Sequence, residues 1–146
     1  MEKIKVKVVV DKGVKLPEYE TAGSAGMDIR ANIEAPIEIG SLERKLIPTG
    51  LKVEIPDGYE LQVRPRSGLA LKHGISMANA IGTVDSDYRG ELKVILINLS
   101  RDTYTVNPQE RIGQIVLNKI AQINFEVVET LSSTNRGEGG FGHTGK

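Results

Sequence analysis

The 146-residue sequence has no cysteine, no tryptophan and two histidines, and its aromatics amount to four tyrosines and two phenylalanines. Without cysteine there is no disulfide, no thiolate–zinc site and no cysteine nucleophile, and a reducing compartment suits the chain. His73 and His143 are too few for a zinc centre built from protein ligands alone. There is no surplus of charge either: 19 basic and 19 acidic side chains cancel to a formal net charge of zero. Proteins that grip a nucleic-acid backbone or an anionic membrane usually carry a basic excess, so neither partner is expected. No apolar run approaches the roughly 18 residues of a membrane span. The opening MEKIKVKVVV begins a strand pattern and lacks the small-residue cleavage site of a secretory signal. A cytoplasmic location is the expectation.

What is present points to strands. Valine and isoleucine number 28 against 20 for leucine and alanine, a tilt toward pleated, half-buried surfaces. Runs of alternating character recur about every ten residues between Gly, Pro, Asn and Asp punctuation. They are Ile4–Val10, Met27–Ile33, Pro36–Ile39, Leu51–Ile55, Tyr59–Val63, Ile75–Ile81, Glu91–Leu99, Tyr104–Val106, Ile112–Ile120 and Phe125–Val128. Pro56-Asp57-Gly58 predicts a hairpin across Leu51–Val63. Ser67–Lys72 is the one helical suspect. Many short strands without long helices imply an all-β sandwich, barrel or jelly roll. The expected organisation is one β domain over residues 1–131 and a glycine-rich tail over 132–146. That tail holds five glycines and a single apolar side chain, Phe141, too little to order itself.

Five segments can carry chemistry. The tail segment RGEGGFGHTGK, Arg136–Lys146, ends in a near match to a phosphate-binding loop, but the chain stops where the following hydroxyl residue and helix belong. It reads as a disordered tail, or as a flap whose amides and Arg136 cover an anion while Phe141 stacks on a ring. In NAIGTVDSDYRGE, Asn79–Glu91, Asp85 sits beside Asp87 and ahead of Tyr88. This is ordinary turn chemistry, or a carboxylate that deprotonates a water next to an aromatic that packs on a sugar. Arg66-Ser67-Gly68 offers a guanidinium, a hydroxyl and an amide around one phosphate, or simply a capped turn. No G-x-S-x-G surrounds Ser67, which excludes the usual hydrolase nucleophile. Asp28 in SAGMDIR and Gln114 in QERIGQI are polar residues in strand settings and say little alone.

Taken in order, these segments resemble the trimeric dUTP diphosphatases (dUTPases), whose five motifs correspond to AGMDI at Ala25–Ile29, RSG at Arg66–Gly68, GTVDSDYRGE at Gly82–Glu91, ERIGQ at Glu110–Gln114 and RGEGGFGHTG at Arg136–Gly145. The match spans nearly the whole chain, with His143 standing where many members have Ser. The resemblance implies a jelly-roll-like distorted β-barrel, the β-clip of that family, assembled as a homotrimer. Each active site would take its first, second and fourth motifs from one subunit, the third from a neighbour and the fifth from the remaining one. The implied reaction is Mg²⁺-dependent hydrolysis of dUTP to dUMP and pyrophosphate, which limits uracil in DNA and supplies dUMP for dTMP synthesis. By the same resemblance Asp85 is the general base and Asp28 acts on the metal through water. Tyr88 packs on the deoxyribose. Backbone groups around Asn79, Gly82, Thr83 and Val84 read the uracil edge. Arg66, Ser67, Gly68 and Gln114 fix the phosphates, with Lys93 at their edge. The tail brings Arg136 to the γ-phosphate and Phe141, with Gly142, over the base. Two rivals are a dCTP deaminase, which needs a glutamate where this chain has Ile95, and a non-catalytic jelly-roll binding module, which needs neither Asp85 and Tyr88 nor a glycine flap.

Overall fold

A computed structural model describes residues 1–145; Lys146, the last residue of the tail, lies outside the described residues. Along the chain run β1 (Lys7–Val10), β2 (Met27–Arg30), β3 (Ile37–Ile39), β4 (Arg44–Glu54), β5 (Tyr59–Arg64), α1 (Ser67–His73), β6 (Ile75–Met77), β7 (Gly82–Val84), β8 (Glu91–Asn98), β9 (Tyr104–Val106) and β10 (Arg111–Lys119). They form two four-stranded sheets, β1-β4-β8-β6 and β2-β10-β5-β7, and a small β3-β9 pair. Each pairing is antiparallel. No sheet closes on itself, so the expected all-β fold is realised as a distorted β-clip rather than a complete barrel.

Alternation explains the layering. In β8, Leu92, Val94, Leu96 and Asn98 are buried while the residues between them are at least partly exposed, the period-two signature of a sheet with one face inward. One buried cluster takes Ile47, Leu51, Val94 and Leu96 from the first sheet and Ile29, Leu61, Val63 and Ile112 from the second. Burying such a side chain contributes roughly 1.5–3 kcal/mol.

Two departures from the sequence reading have clear causes. The Pro56-Asp57-Gly58 turn exists, with Gly58 at φ 83° and Tyr59 N–H donating to the Pro56 carbonyl at 3.3 Å. It does not close a hairpin, because β4 pairs with β1 and β8 while β5 pairs with β10 and β7. Turn residues set a reversal of direction. Which ladder each strand joins is decided by burial, and the flanking Val53 and Leu61 reach one core from different sheets. The second departure is Phe125–Val128, which forms no strand. Phe125 and Val127 are 84% and 96% exposed: the alternation is there, but the segment pairs with none of the sheets and buries neither face.

β4 itself was legible only in part, since Pro48 and Gly50 interrupt its pattern. The register of β4 on β8 skips between Pro48 and Lys52, and Gly50 takes φ 72° in that bulge. A Cβ on Gly50 would lie 2.6 Å from Val14 Cγ2 and 2.7 Å from Asn32 Nδ2, so close approach as well as backbone conformation requires glycine.

The wholly buried Asn98 uses its full hydrogen-bonding capacity. Its Nδ2 donates to the Ile39 and Asp102 carbonyls at 2.8 and 2.7 Å. Its Oδ1 accepts from Ser100 N–H and Oγ–H at 2.9 and 2.7 Å. Replacing Asn98 by leucine removes all four bonds and leaves the buried Ile39 carbonyl without the amide that donates to it. The expected loss is about 3 kcal/mol of stability, read as a lower urea midpoint at unchanged slope.

Candidate active site

The chain crosses between the two sheets at residues 78–81, where β6, paired with β8, gives way to β7, paired with β5. Ala80 takes φ 57° to make this turn and donates its N–H to the Met77 carbonyl at 3.0 Å. Between that crossing and β8 opens a cavity of about 600 Å³. Asn79, Gly82, Thr83, Val84, Asp85, Tyr88 and Lys93, all singled out in the sequence, line it together. Sequence reasoning missed Met77, Gly90 and Glu91, which line it too, and gave Ile95 no part in the wall. The apolar ones carry strand alternation but no motif. Among the described residues no side chain or amide donates to the Asp85 carboxylate, which is exposed to the cavity. Lys93 Nζ stands 3.9 Å from Glu91 Oε2. Glu91 Oε1 in turn accepts from the Gly50 amide at 2.9 Å.

A second group of residues gathers around Asp28. The pairing of β2 with β10 sets Asp28 opposite Gln114, and Gln114 Nε2 donates to Asp28 Oδ1 at 3.1 Å. Arg66 Nε reaches the same oxygen at 3.2 Å, and Arg111 Nη1 reaches Oδ2 at 3.2 Å. Arg66 Nη1 also donates to the Arg111 carbonyl at 3.4 Å. With two of its donor groups engaged, the planar guanidinium is fixed and its remaining N–H groups are free for an anion. Asp28 is 11% exposed and Arg66 24%, so these contacts are screened less than surface pairs. Arg111 lay inside the recognised ERIGQ segment, yet nothing in its spacing marked it as a partner of Asp28. Its other neighbour is Glu20 at 3.6 Å.

Ser67 and Gly68 open α1, both exposed, with Arg66 as the extended residue before it. The tail is elsewhere: Arg136 Nε donates to the Gly139 carbonyl at 2.7 Å, Phe141 is fully exposed, and neither it nor Gly142 lines the cavity. The candidate residues therefore fall in three places on one chain: the Asp85 cavity, the Asp28 cluster and the tail.

Among the described residues no three His, Asp, Glu or Cys side chains come together to cage a metal. A carboxylate has about four acceptor sites, and three of those on Asp28 are taken by protein donors. The one left suits a hydrogen bond from a metal-bound water. That arrangement fits Mg²⁺, which keeps several waters and is bound through one or two carboxylates plus phosphate oxygens.

The start of β10 is pinned by Glu110. Its carboxylate accepts from the Tyr104 hydroxyl and from the Asn107 amide at 2.8 Å. The Tyr104 ring packs on His73 at the end of α1, centroids 5.2 Å apart. The far end of the helix that follows Arg66 is thereby tied to the residue just before Arg111.

The sequence profile of the dUTPase family matches residues 12–145. The deoxyuridine 5′-triphosphate nucleotidohydrolase of Fusobacterium nucleatum subsp. nucleatum is 70% identical over 100% of both chains. That of Chlamydia pneumoniae is 61% identical over 93% of this chain and 94% of its own. Among solved structures, the Staphylococcus bacteriophage 80alpha dUTPase with dUPNHPP superposes with a TM-score of 0.87 at 25% identity, covering 99% of this chain and 100% of that one.

Burial, then the hydrogen bond to Glu110 and its charge, push the Tyr104 phenol well above its ordinary value of 10, against a smaller opposing effect of Arg66. The folded state thus holds this proton more tightly than the unfolded chain does. The stability it contributes is complete below about pH 10 and is lost as pH rises through the folded value. Thermal midpoints of the wild type fall as pH climbs above 10, and Tyr104→Phe flattens that part of the profile. The wild-type minus Tyr104→Phe phenolate absorbance appears only above the ordinary tyrosine range.

Proposed function

The chain belongs to the dUTPase family, and on that premise we propose that it hydrolyses dUTP to dUMP and pyrophosphate. The observation that carries the reading is the contrast between two carboxylates. Asp85 stands in a nucleoside-sized cavity beside Tyr88 with no protein donor, whereas Asp28 is nearly saturated by cationic and amide donors. A free carboxylate is a base. A saturated one is an anchor.

In this mechanism Asp85 takes a proton from a water whose oxygen attacks the α-phosphorus, and the bond to the oxygen bridging α- and β-phosphorus breaks to release pyrophosphate. Mg²⁺, when bound to the triphosphate, supplies charge neutralisation at the phosphoryl oxygens. Asp28 orients Arg66 and Gln114, whose remaining donors, with Ser67, Gly68 and Lys93, hold the phosphate chain. Backbone groups at Asn79, Gly82, Thr83 and Val84 read uracil, and the Tyr88 ring stands against the deoxyribose where a 2′-hydroxyl would be. The Ile95 side chain on the cavity wall cannot carry protons, which disfavours deamination of a cytosine nucleotide at this site.

The enzyme works as a homotrimer whose sites draw on all three subunits. Two features support this. The site residues lie in three places on one chain, and the arm leading to the tail exposes Ile123 at 77%, Phe125 at 84%, Val127 at 96% and Leu131 at 89%, an apolar row that another copy can cover. Arg136 and Phe141 then close over a neighbour's nucleotide, excluding water. A cytoplasmic location and a role in keeping uracil out of DNA while supplying dUMP belong to the same reading.

The test is pyrophosphate release from dUTP with Mg²⁺, against dCTP, dTTP and UTP. Rapid release from dUTP alone is expected; no release overturns the reading. Asp85→Asn lowers turnover by about a thousandfold or more, with affinity for a non-hydrolysable dUTP analogue changed less than a few-fold. Near wild-type turnover in that variant removes Asp85 from the role of base.

A further inference from the structure

Tyr88 lies folded back over its own turn. Its hydroxyl donates to the Glu91 carbonyl at 3.0 Å, which brings the ring across Gly90. A Cβ built on Gly90 would stand 2.3 Å from Tyr88 Oη, 2.5 Å from Cζ and 2.9 Å from Cε2. No real side chain tolerates such distances. The ring therefore occupies the space that any other residue at position 90 would fill. The requirement for glycine is not conformational, because Gly90 is not among the residues with positive φ. Nor would a methyl group there collide with the core, since its three nearest atoms all belong to the far end of one tyrosine. Tyr88 is 45% exposed, so it is the part free to give way, by turning toward solvent.

We propose that Gly90 is a positioning residue for sugar specificity: its bare Cα is the seat that holds the Tyr88 ring in the wall of the nucleotide cavity. Tyr88, Gly90 and Glu91 all line that cavity, and the Glu91 carbonyl sets how far the ring leans. The proposal rests on the reading of Tyr88 as the group that excludes a 2′-hydroxyl. It adds that this exclusion depends on an absent side chain two residues away. Gly90→Ala leaves the backbone and core intact, and restricts the unfolded chain. What it changes is where the ring can stand. Discrimination at the sugar is lost while discrimination at the base, made on the β6–β7 side of the cavity, is kept.

The test compares kcat/KM for dUTP, UTP and dCTP in the wild type, Gly90→Ala, Tyr88→Ala and the double variant, with thermal midpoints for all four. Gly90→Ala is expected to lower the dUTP-over-UTP ratio by about tenfold or more, leave the dUTP-over-dCTP ratio within a few-fold, and melt close to wild type. The double variant should match Tyr88→Ala, because Gly90 acts only through the ring. A wild-type dUTP-over-UTP ratio in Gly90→Ala overturns the proposal, and so does a further loss of that ratio in the double variant. If Gly90→Ala destabilises the protein equally with and without the tyrosine, glycine serves the backbone and the proposal falls. Failure of the underlying reading is distinct: Tyr88→Ala then keeps its preference for dUTP, or the wild type releases no pyrophosphate from it.

Discussion

The Asp28 carboxylate is the point on which the geometry of the proposed phosphate-holding residues depends. Three donors from two separate stretches of chain converge on its two oxygens: Arg66 ahead of α1, and Arg111 and Gln114 on β10. Two guanidinium groups so close would repel without an anion between them, and an anion so enclosed would be costly without them. Each makes the other's position possible. The consequence is directional. Arg66 has its Nε on Asp28 and one Nη on the Arg111 carbonyl, so its plane is settled before any ligand arrives, and less ordering remains to be done on binding. The Tyr104–Glu110 contact, with His73 packed on the Tyr104 ring, ties the end of α1 to the residue just before Arg111.

Much of the fold was legible because alternation is a direct imprint of burial. Tyr104–Val106 and the helical turn from Ser67 stand where the pattern put them. What local pattern does not encode is the partner. Pro56-Asp57-Gly58 is good turn chemistry whether the next strand folds back on the last or crosses to the opposite sheet, and here it crosses. The first half of β4 was hidden by Pro48 and Gly50, whose bulge is held by hydrogen bonds from the Asp11 and Asn32 amides and to the Glu91 carboxylate, all distant in sequence. Phe125–Val128 has strand character without a strand, since alternation alone does not bring a segment to a ladder.

The site divides the same way. Asp85, Tyr88 and Arg66 could be read two ways from their spacing, because charged residues are common in this chain, and only the order of the five segments and their resemblance to the dUTPases singled them out. Arg111 escaped notice because its part is defined by a partner 83 residues away. Gly90 escaped because its contribution is space. Only a structure can say what fills it.

The zero net charge takes its meaning from this arrangement. A chain with equal numbers of acids and bases can still serve a strongly anionic ligand if its acids are spent unequally. Asp28 and Glu91 are committed to protein donors, Asp28 to guanidiniums and an amide, Glu91 to the Gly50 amide. Among the described residues Asp85 faces its cavity without a donor. Arg66 keeps N–H groups in reserve, and Lys93 is only loosely held at 3.9 Å from Glu91. Local imbalance of this kind costs nothing in whole-chain arithmetic. It leaves one uncommitted carboxylate in its cavity and, elsewhere on the chain, guanidinium donors already oriented by Asp28, and preorganised donors of that kind are worth more to an anion than a surplus of mobile surface charge.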